Sequence, residues 1–222
     1  MRCLSASDFT ESRHAPIELR SGEIHVWFSA AASAGMARVA GDWLRRRLAG
    51  YVGAAPEQIG LARGEHGKPL MPDRPDLQFN LAHSGGALLF AIARSQPLGI
   101  DIETDARRRP ALELARRFFC AAEADALARL DAARRQAAFL QLWSCKEAVV
   151  KALGRGIGFG LDRLAFDLDE CGVPQRLNVI DSSAGAATEW QIVRLEPACG
   201  YRGALAWRGP SLRLRAFALV DP

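Results

Sequence analysis

The chain has 222 residues, 49% hydrophobic and 24% charged, enough for one large core or two small ones. No apolar run approaches the roughly 20 residues needed to span a bilayer, and the opening MRCLSASDFTESRHAP lacks an apolar signal-peptide core; a cytoplasmic protein is expected. A formal charge of +4 and a pI of about 9.0 favour anionic partners without identifying one.

Residues 1–22 show no hydrophobic period and read as poorly structured. EIHVWFS (23–29) predicts a strand, and residues 34–50 a helix with Met36, Val39, Ala40, Trp43, Leu44 and Leu48 inward. Arg45, Arg46 and Arg47 near its end suit the helix dipole as solvated charges. Short extended pieces at 59–63 and 69–71 flank GEHGK, and apolar strands at 77–81 and 87–94 are joined by AHSGG. A turn at Gln96 and Pro97 leads into GIDIE (99–103), where the period is two: Ile100 and Ile102 face one way, Asp101 and Glu103 the other. Residues 112–119 and 121–130 read as helices. Phe139, Leu142, Trp143, Val149, Val150 and Leu153 then recur at spacings of three, four and seven, the stripe of an amphipathic helix that Gly154 and Gly156 stop. Strands at 164–168, 175–179, 190–195 and 204–207 complete the pattern, with SSAGAA (182–187) as a loop.

The order strand, helix, several strands occurs twice, with a seam near Pro97, and HSGGALLFAI (83–92) echoes GYRGALAWRG (200–209). The fold class expected is α+β: two similar subdomains, 1–97 and 98–222, related by an internal pseudo-twofold. Cys3, Cys120, Cys145, Cys171 and Cys199 are odd in number and contain no CxxC pair. They read as reduced, mostly buried thiols, neither a disulfide framework nor a zinc site.

Trp143, Glu147 and Lys151 are successive i+4 neighbours, so the carboxylate and the ammonium share one strip of helix. Asp101, Glu103 and Glu147 offer the hard oxygens that magnesium takes in small number beside water and phosphate oxygens. Lys146 and Lys151 supply charge for a phosphate. Together they suggest a metal–phosphate site. There is no GxxxxGK[ST], and no GxGxxG follows a strand. Each piece alone has a plainer reading: a solvated strand face for Asp101 and Glu103, an ion-paired helix surface for KEAVVK, a hydrogen-bonding turn residue for His83. Lys68 alone is a solvated lysine, and Arg107, Arg108 and Arg109 a solvated loop.

GKP (67–69), FNLAHSGG (79–86), GIDIE (99–103) and WSCKEAVVKALGRG (143–156) resemble, in order and spacing, the motifs of the Sfp-type 4′-phosphopantetheinyl transferases. RFF (117–119) with Glu123 resembles the family's linking segment. The resemblance implies that family's fold and its holo-[acyl-carrier-protein] synthase activity. Phosphopantetheine passes from coenzyme A to a serine of an apo carrier protein, and adenosine 3′,5′-bisphosphate is released. It further implies Asp101, Glu103 and Glu147 as ligands of Mg2+ (or Mn2+), with Glu147 also the base toward the carrier serine. Lys151 is implied at the leaving group and Lys146 along the pyrophosphate. Gly67, Lys68 and Pro69 would line the adenine pocket, and His83, Ser84 and Arg38 would meet coenzyme A phosphates.

Two departures from the family pattern stand out. Ala82 replaces the usual serine or threonine before the motif histidine, and the segment between strand 23–29 and the first helix is short where relatives carry further basic residues. Arg38 and Arg45 are the candidates to take their place. The carrier, of fatty-acid, polyketide or nonribosomal-peptide type, is expected to dock near residues 112–130 on a monomer. A coenzyme-A-binding protein without turnover is the rival from the binding class. A nucleic-acid binder is disfavoured by the dispersed arginines, and no membrane partner is expected.

Overall fold

A computed structural model describes residues 1–12, 18–30 and 36–219, apart from the side chains of residues 36–39 and 157. The first half holds β1 (Arg2–Ser5), β2 (Phe9–Ser12), β3 (Glu23–Ser29), α1 (Met36–Val52), β4 (Ala62–Arg63), β5 (Pro69–Leu70), β6 (Leu77–Ser84) and β7 (Ala87–Arg94). The second holds β8 (Leu98–Thr104), α2 (Ala111–Phe118), α3 (Ala121–Ala128), α4 (Ala132–Leu153), β9 (Leu164–Leu168), β10 (Pro174–Ile180), β11 (Trp190–Glu196), β12 (Tyr201–Arg208) and β13 (Arg213–Leu219). The class is α+β.

Two sheets carry the fold, one of four strands in the order β1-β11-β12-β8 and one of five in the order β2-β13-β3-β7-β6. Period-two alternation explains how they stack. Ile24, Val26, Phe28, Leu89 and Ala91 of the larger sheet meet Ile100, Ile102, Val193, Leu195 and Leu205 of the smaller in one shared core. The opposite faces are covered by helices. Trp27, Phe90, Ile92 and Phe217 pack with Leu44 and Leu48 of α1, while Ile192, Ala204 and Ala206 pack with Phe139, Leu142 and Val149 of α4. β8 is buried throughout, so its two carboxylates lie under α4 and not in solvent.

Several sequence expectations are corrected. Residues 1–22 are not featureless: β1 pairs in parallel with β11 and β2 with β13. A strand after 204–207 was missed; β13 lies in the middle of the larger sheet, parallel to β3 on one side and β2 on the other. The long helix starts at Ala132, where the Asp131 carboxylate accepts from the Ala133 and Arg134 amides, and ends on left-handed Gly154 (φ 69°). It is not amphipathic over its second half, because Ala138 to Leu142 and Ser144 to Val150 are all buried. Arg47 is not a free capping charge: its guanidinium lies 5.3 Å from the Trp27 ring centroid and 5.7 Å from that of Trp43. Of the cysteines only Cys145 is buried, which pushes its thiol up to about 12; Cys171 and Cys199 are exposed. No helix among the described residues is long and apolar enough to cross a membrane.

Candidate active site

The site forms where α4 crosses β8, and Gly99 permits the crossing. A Cβ at Gly99 would lie 2.1 Å from the Ala148 carbonyl oxygen and 2.3 Å from the Ala152 nitrogen, both α4 backbone. Only glycine lets strand and helix approach this closely. The approach brings the Lys151 ammonium to 2.6 Å from Asp101 Oδ1. Asp101, Glu103 and Glu147 are all buried, at 6%, 8% and 7% exposure.

Three carboxylates in so little water repel one another. Burial pushes the Glu147 carboxyl up to about 7, with the Asp101 and Glu103 charges adding to the rise and Lys151 opposing it. Burial and the Asp101 charge likewise raise Glu103, against Arg109 and Ser84. Burial disfavours the charged Lys151, but Asp101, Glu147 and Glu103 outweigh it and hold its pKa above the ordinary value. Asp101 Oδ2 and Glu147 Oε1 are buried with no hydrogen-bond partner, a state that normally costs about 1–3 kcal/mol or more for a charged group. Glu103 is engaged differently: its Oε2 accepts from Arg109 at 2.7 Å and from Ser84 Oγ at 3.1 Å. Among the described residues, no three His, Cys, Asp or Glu side chains already stand as a metal cluster. The orphaned oxygens and the crowded negative charge nevertheless fit a hard divalent cation.

A cleft of about 480 Å³ opens beside this cluster, lined by Gly67, Lys68, Pro69, Asn80, Glu147 and Lys151 among others. A second, of about 360 Å³, shares Lys68 and Pro69 and adds Met71, Pro72, Pro75 and Phe79. Lys68 and Pro69, with His66 and Gly154, therefore line both, while Gly67 lines only the first. Lys68 is no solvated lysine: its ammonium donates to the carbonyls of Leu98 at 2.7 Å and Lys151 at 3.1 Å. Burial lowers its pKa to about 8. It fastens the C-terminal end of α4 to the start of β8.

Other expected residues land less simply. His83 lies within β6, not in a turn, and its side chain is exposed. Ser84 faces Glu103. Arg38 lies in α1, but its side chain is outside those described. Arg109 belongs to the cluster through Glu103 and is not a solvated loop residue. Lys146 is the main correction. It is 0% exposed and its ammonium is committed to the Glu123 carboxylate at 2.7 Å and to the carbonyls of Leu161 and Leu164. A lysine has three N–H donors, so none is left for a pyrophosphate. Sequence reading also missed Asn80, whose Oδ1 accepts from the Ile100 amide at 2.8 Å and ties β6 to β8. A polar residue inside the apolar FNL run was the available signal.

A small α+β fold with a buried lysine–carboxylate cluster beside a two-part cleft is suited to polar group transfer. Residues 97–204 match the 4′-phosphopantetheinyl transferase superfamily. The chain is 37% identical over 173 residues to the 4′-phosphopantetheinyl transferase psf-1 of Bacillus pumilus, covering 77% of this chain and 70% of that protein. It is 41% identical over 109 residues to the 4′-phosphopantetheinyl transferase Sfp of Bacillus subtilis (strain 168), covering 49% of this chain and 47% of Sfp. It is 38% identical over 117 residues to the 4′-phosphopantetheinyl transferase HetI of Nostoc, covering 51% of this chain and 49% of HetI. The matched stretch thus spans about half the length of Sfp and HetI. The chain belongs to the 4′-phosphopantetheinyl transferase superfamily.

Proposed function

We propose that the protein transfers the 4′-phosphopantetheine group of coenzyme A to a serine of an apo acyl or peptidyl carrier protein. The observation that carries this reading is the buried cluster of Glu147, Asp101 and Glu103 against Lys151 at the edge of the cleft, with Asp101 Oδ2 and Glu147 Oε1 left without partners. A buried carboxylate with a free oxygen facing the cleft is placed to accept a proton as the reaction proceeds. The serine hydroxyl gives its proton to Glu147, directly or through water, as its oxygen forms a new bond to phosphorus. The bond from that phosphorus to the bridging oxygen breaks, and adenosine 3′,5′-bisphosphate leaves.

Lys151 holds positive charge near the oxygen that becomes more negative, an interaction strongest in the transition state. Its elevated pKa keeps it charged throughout. Asp101 fixes the Lys151 ammonium by the 2.6 Å contact. Asp101 and Glu147 supply the orphaned oxygens for Mg2+ or Mn2+, and Glu103 completes the carboxylate set. When bound, such an ion supplies charge that offsets both the carboxylate crowding and the pyrophosphate. Gly67 and Pro69 bound the adenine side of the cleft. Lys68 keeps that wall and α4 in register, and the exposed His83 meets a coenzyme A phosphate.

In this reading the subdomains are 1–97 and 98–222, related by a pseudo-twofold, with the end strands β1 and β13 exchanged between them. The protein works as a cytoplasmic monomer without nucleic acid or membrane, and the carrier docks near residues 112–130. The test is chromatography of nucleotide products after incubation with coenzyme A, magnesium and an apo carrier. Adenosine 3′,5′-bisphosphate should appear only with the carrier present and vanish in excess chelator. Full release under chelation removes the metal from the mechanism, and no release with any carrier type removes the activity.

A further inference from the structure

The buried Lys146–Glu123 pair is unused by the mechanism above and is fully satisfied. Glu123 Oε2 binds the Lys146 ammonium at 2.7 Å and accepts from the Cys120 amide, while Oε1 accepts from the Phe166 amide at 2.8 Å. Lys146 donates its other protons to Leu161, at 2.9 Å, and Leu164, and lies 4.8 Å from the Phe119 ring centroid. One contact point therefore joins α3, α4, the turn after α4 and the start of β9. Both side chains are at 2% exposure or less.

Such a pair is not explained by stability alone. Taking two charges out of water is costly, and apolar replacements of similar volume are often as stable. What the pair does supply is direction. Successive helix residues differ by about 100° around the axis, so fixing Lys146 toward α3 and β9 fixes where Glu147 points. We infer that Glu123 and Lys146 are positioning residues that set the rotation of α4 and aim Glu147 at Asp101 and the cleft. The carbonyls they hold also seat the turn that follows Gly156, itself part of the cleft wall. The inference rests on the proposed transferase reading for its kinetic consequence, and on geometry alone for its structural one.

The test is the double variant Glu123→Gln/Lys146→Met, which removes both charges and leaves no buried ion without its partner. Its kcat for transfer to an apo carrier should fall about 10-fold or more, as expected when a reacting group is misplaced by a fraction of an ångström to 1 Å. The KM for coenzyme A should rise by a smaller factor than kcat falls, because Lys68 and Pro69 of the cleft are untouched. A packing role would not produce that split. A crystal structure of the double variant should show the Glu147 carboxylate displaced from Asp101, a readout independent of turnover. Wild-type kcat, or an unmoved Glu147, overturns the inference. If the wild-type protein transfers nothing, the functional reading fails and the crystallographic arm still decides. Should the double variant not fold, Glu123→Asp keeps the charge and withdraws it by one methylene. It should show the same split in smaller degree, and wild-type kcat there also overturns the inference.

Discussion

Replacing Gly99 by alanine adds one methyl group at the closest approach in the site. The new Cβ would lie 2.1 Å from the Ala148 oxygen, 2.3 Å from the Ala152 nitrogen and 2.8 Å from the Lys151 carbonyl carbon. All three are backbone atoms, so no side chain can swing away. Restoring an ordinary contact near 3.4 Å requires β8 and α4 to part by about 1 Å. Overpacking of this kind costs about 1–3 kcal/mol, which for a chain of this size lowers Tm by about 2–4 °C per kcal/mol. Function should suffer more, because the same movement stretches the Lys151–Asp101 contact and misaims Glu147; a 1 Å error can cost about 100-fold in rate. Calorimetric unfolding with single-turnover transfer measures both. A Gly99→Ala protein with wild-type Tm and wild-type turnover would refute the claim that this crossing builds the site.

Other consequences follow from the same geometry. Glu147→Gln should lower single-turnover transfer by about 10²–10⁴-fold, as loss of a general base does. Lys151→Ala should lower turnover while keeping or tightening magnesium binding, since it frees Asp101 Oδ1; titration calorimetry separates the two, and loss of metal binding in Lys151→Ala would reverse the roles. His25 is fully buried and held at about 4, below its ordinary 6.5, by burial first and Arg215 second, against Glu23. The folded state therefore binds fewer protons than the unfolded one, and stability present above pH 6.5 is lost as pH falls toward 4, on the order of 3 kcal/mol in all. Urea titrations of His25→Gln should show a flatter dependence over that window, and an equal slope would contradict the assignment. Arg116 and Arg117 are exposed in the last turn of α2; reversing both to glutamate should raise the KM for an acidic carrier and weaken its salt dependence. An unchanged KM would place the docking surface elsewhere.

What the sequence disclosed and what it hid divide along physical lines. GIDIE was legible from its period-two alternation, and EIHVWFS and β7 as short apolar runs bounded by turn residues. The spacing of Trp143, Glu147 and Lys151 correctly placed carboxylate and ammonium on one strip. β1 and β2 were not legible, since each has four residues and its partner lies near the other end of the chain. β13 hid behind alternating arginine, leucine and alanine, whose burial depends on a sheet assembled from distant segments. The second half of α4 was misread as amphipathic because Gln141, Lys146 and Glu147 look polar in isolation. Lys146 is buried only because Glu123, 23 positions earlier, meets it, a pairing that no helical period encodes. Lys68 was undervalued for the same reason, its acceptors being the backbone of Leu98 and Lys151.

The central claim is that a carrier serine is modified at the expense of coenzyme A. Mass spectrometry of an intact apo carrier protein, incubated with the protein, coenzyme A and magnesium, measures this directly. The account predicts that the carrier gains the mass of one phosphopantetheine group, that replacing its acceptor serine by alanine abolishes the gain, and that Glu147→Gln nearly does so. A carrier left unmodified across acyl and peptidyl types, while coenzyme A still binds, would contradict it and leave a binding protein in place of an enzyme.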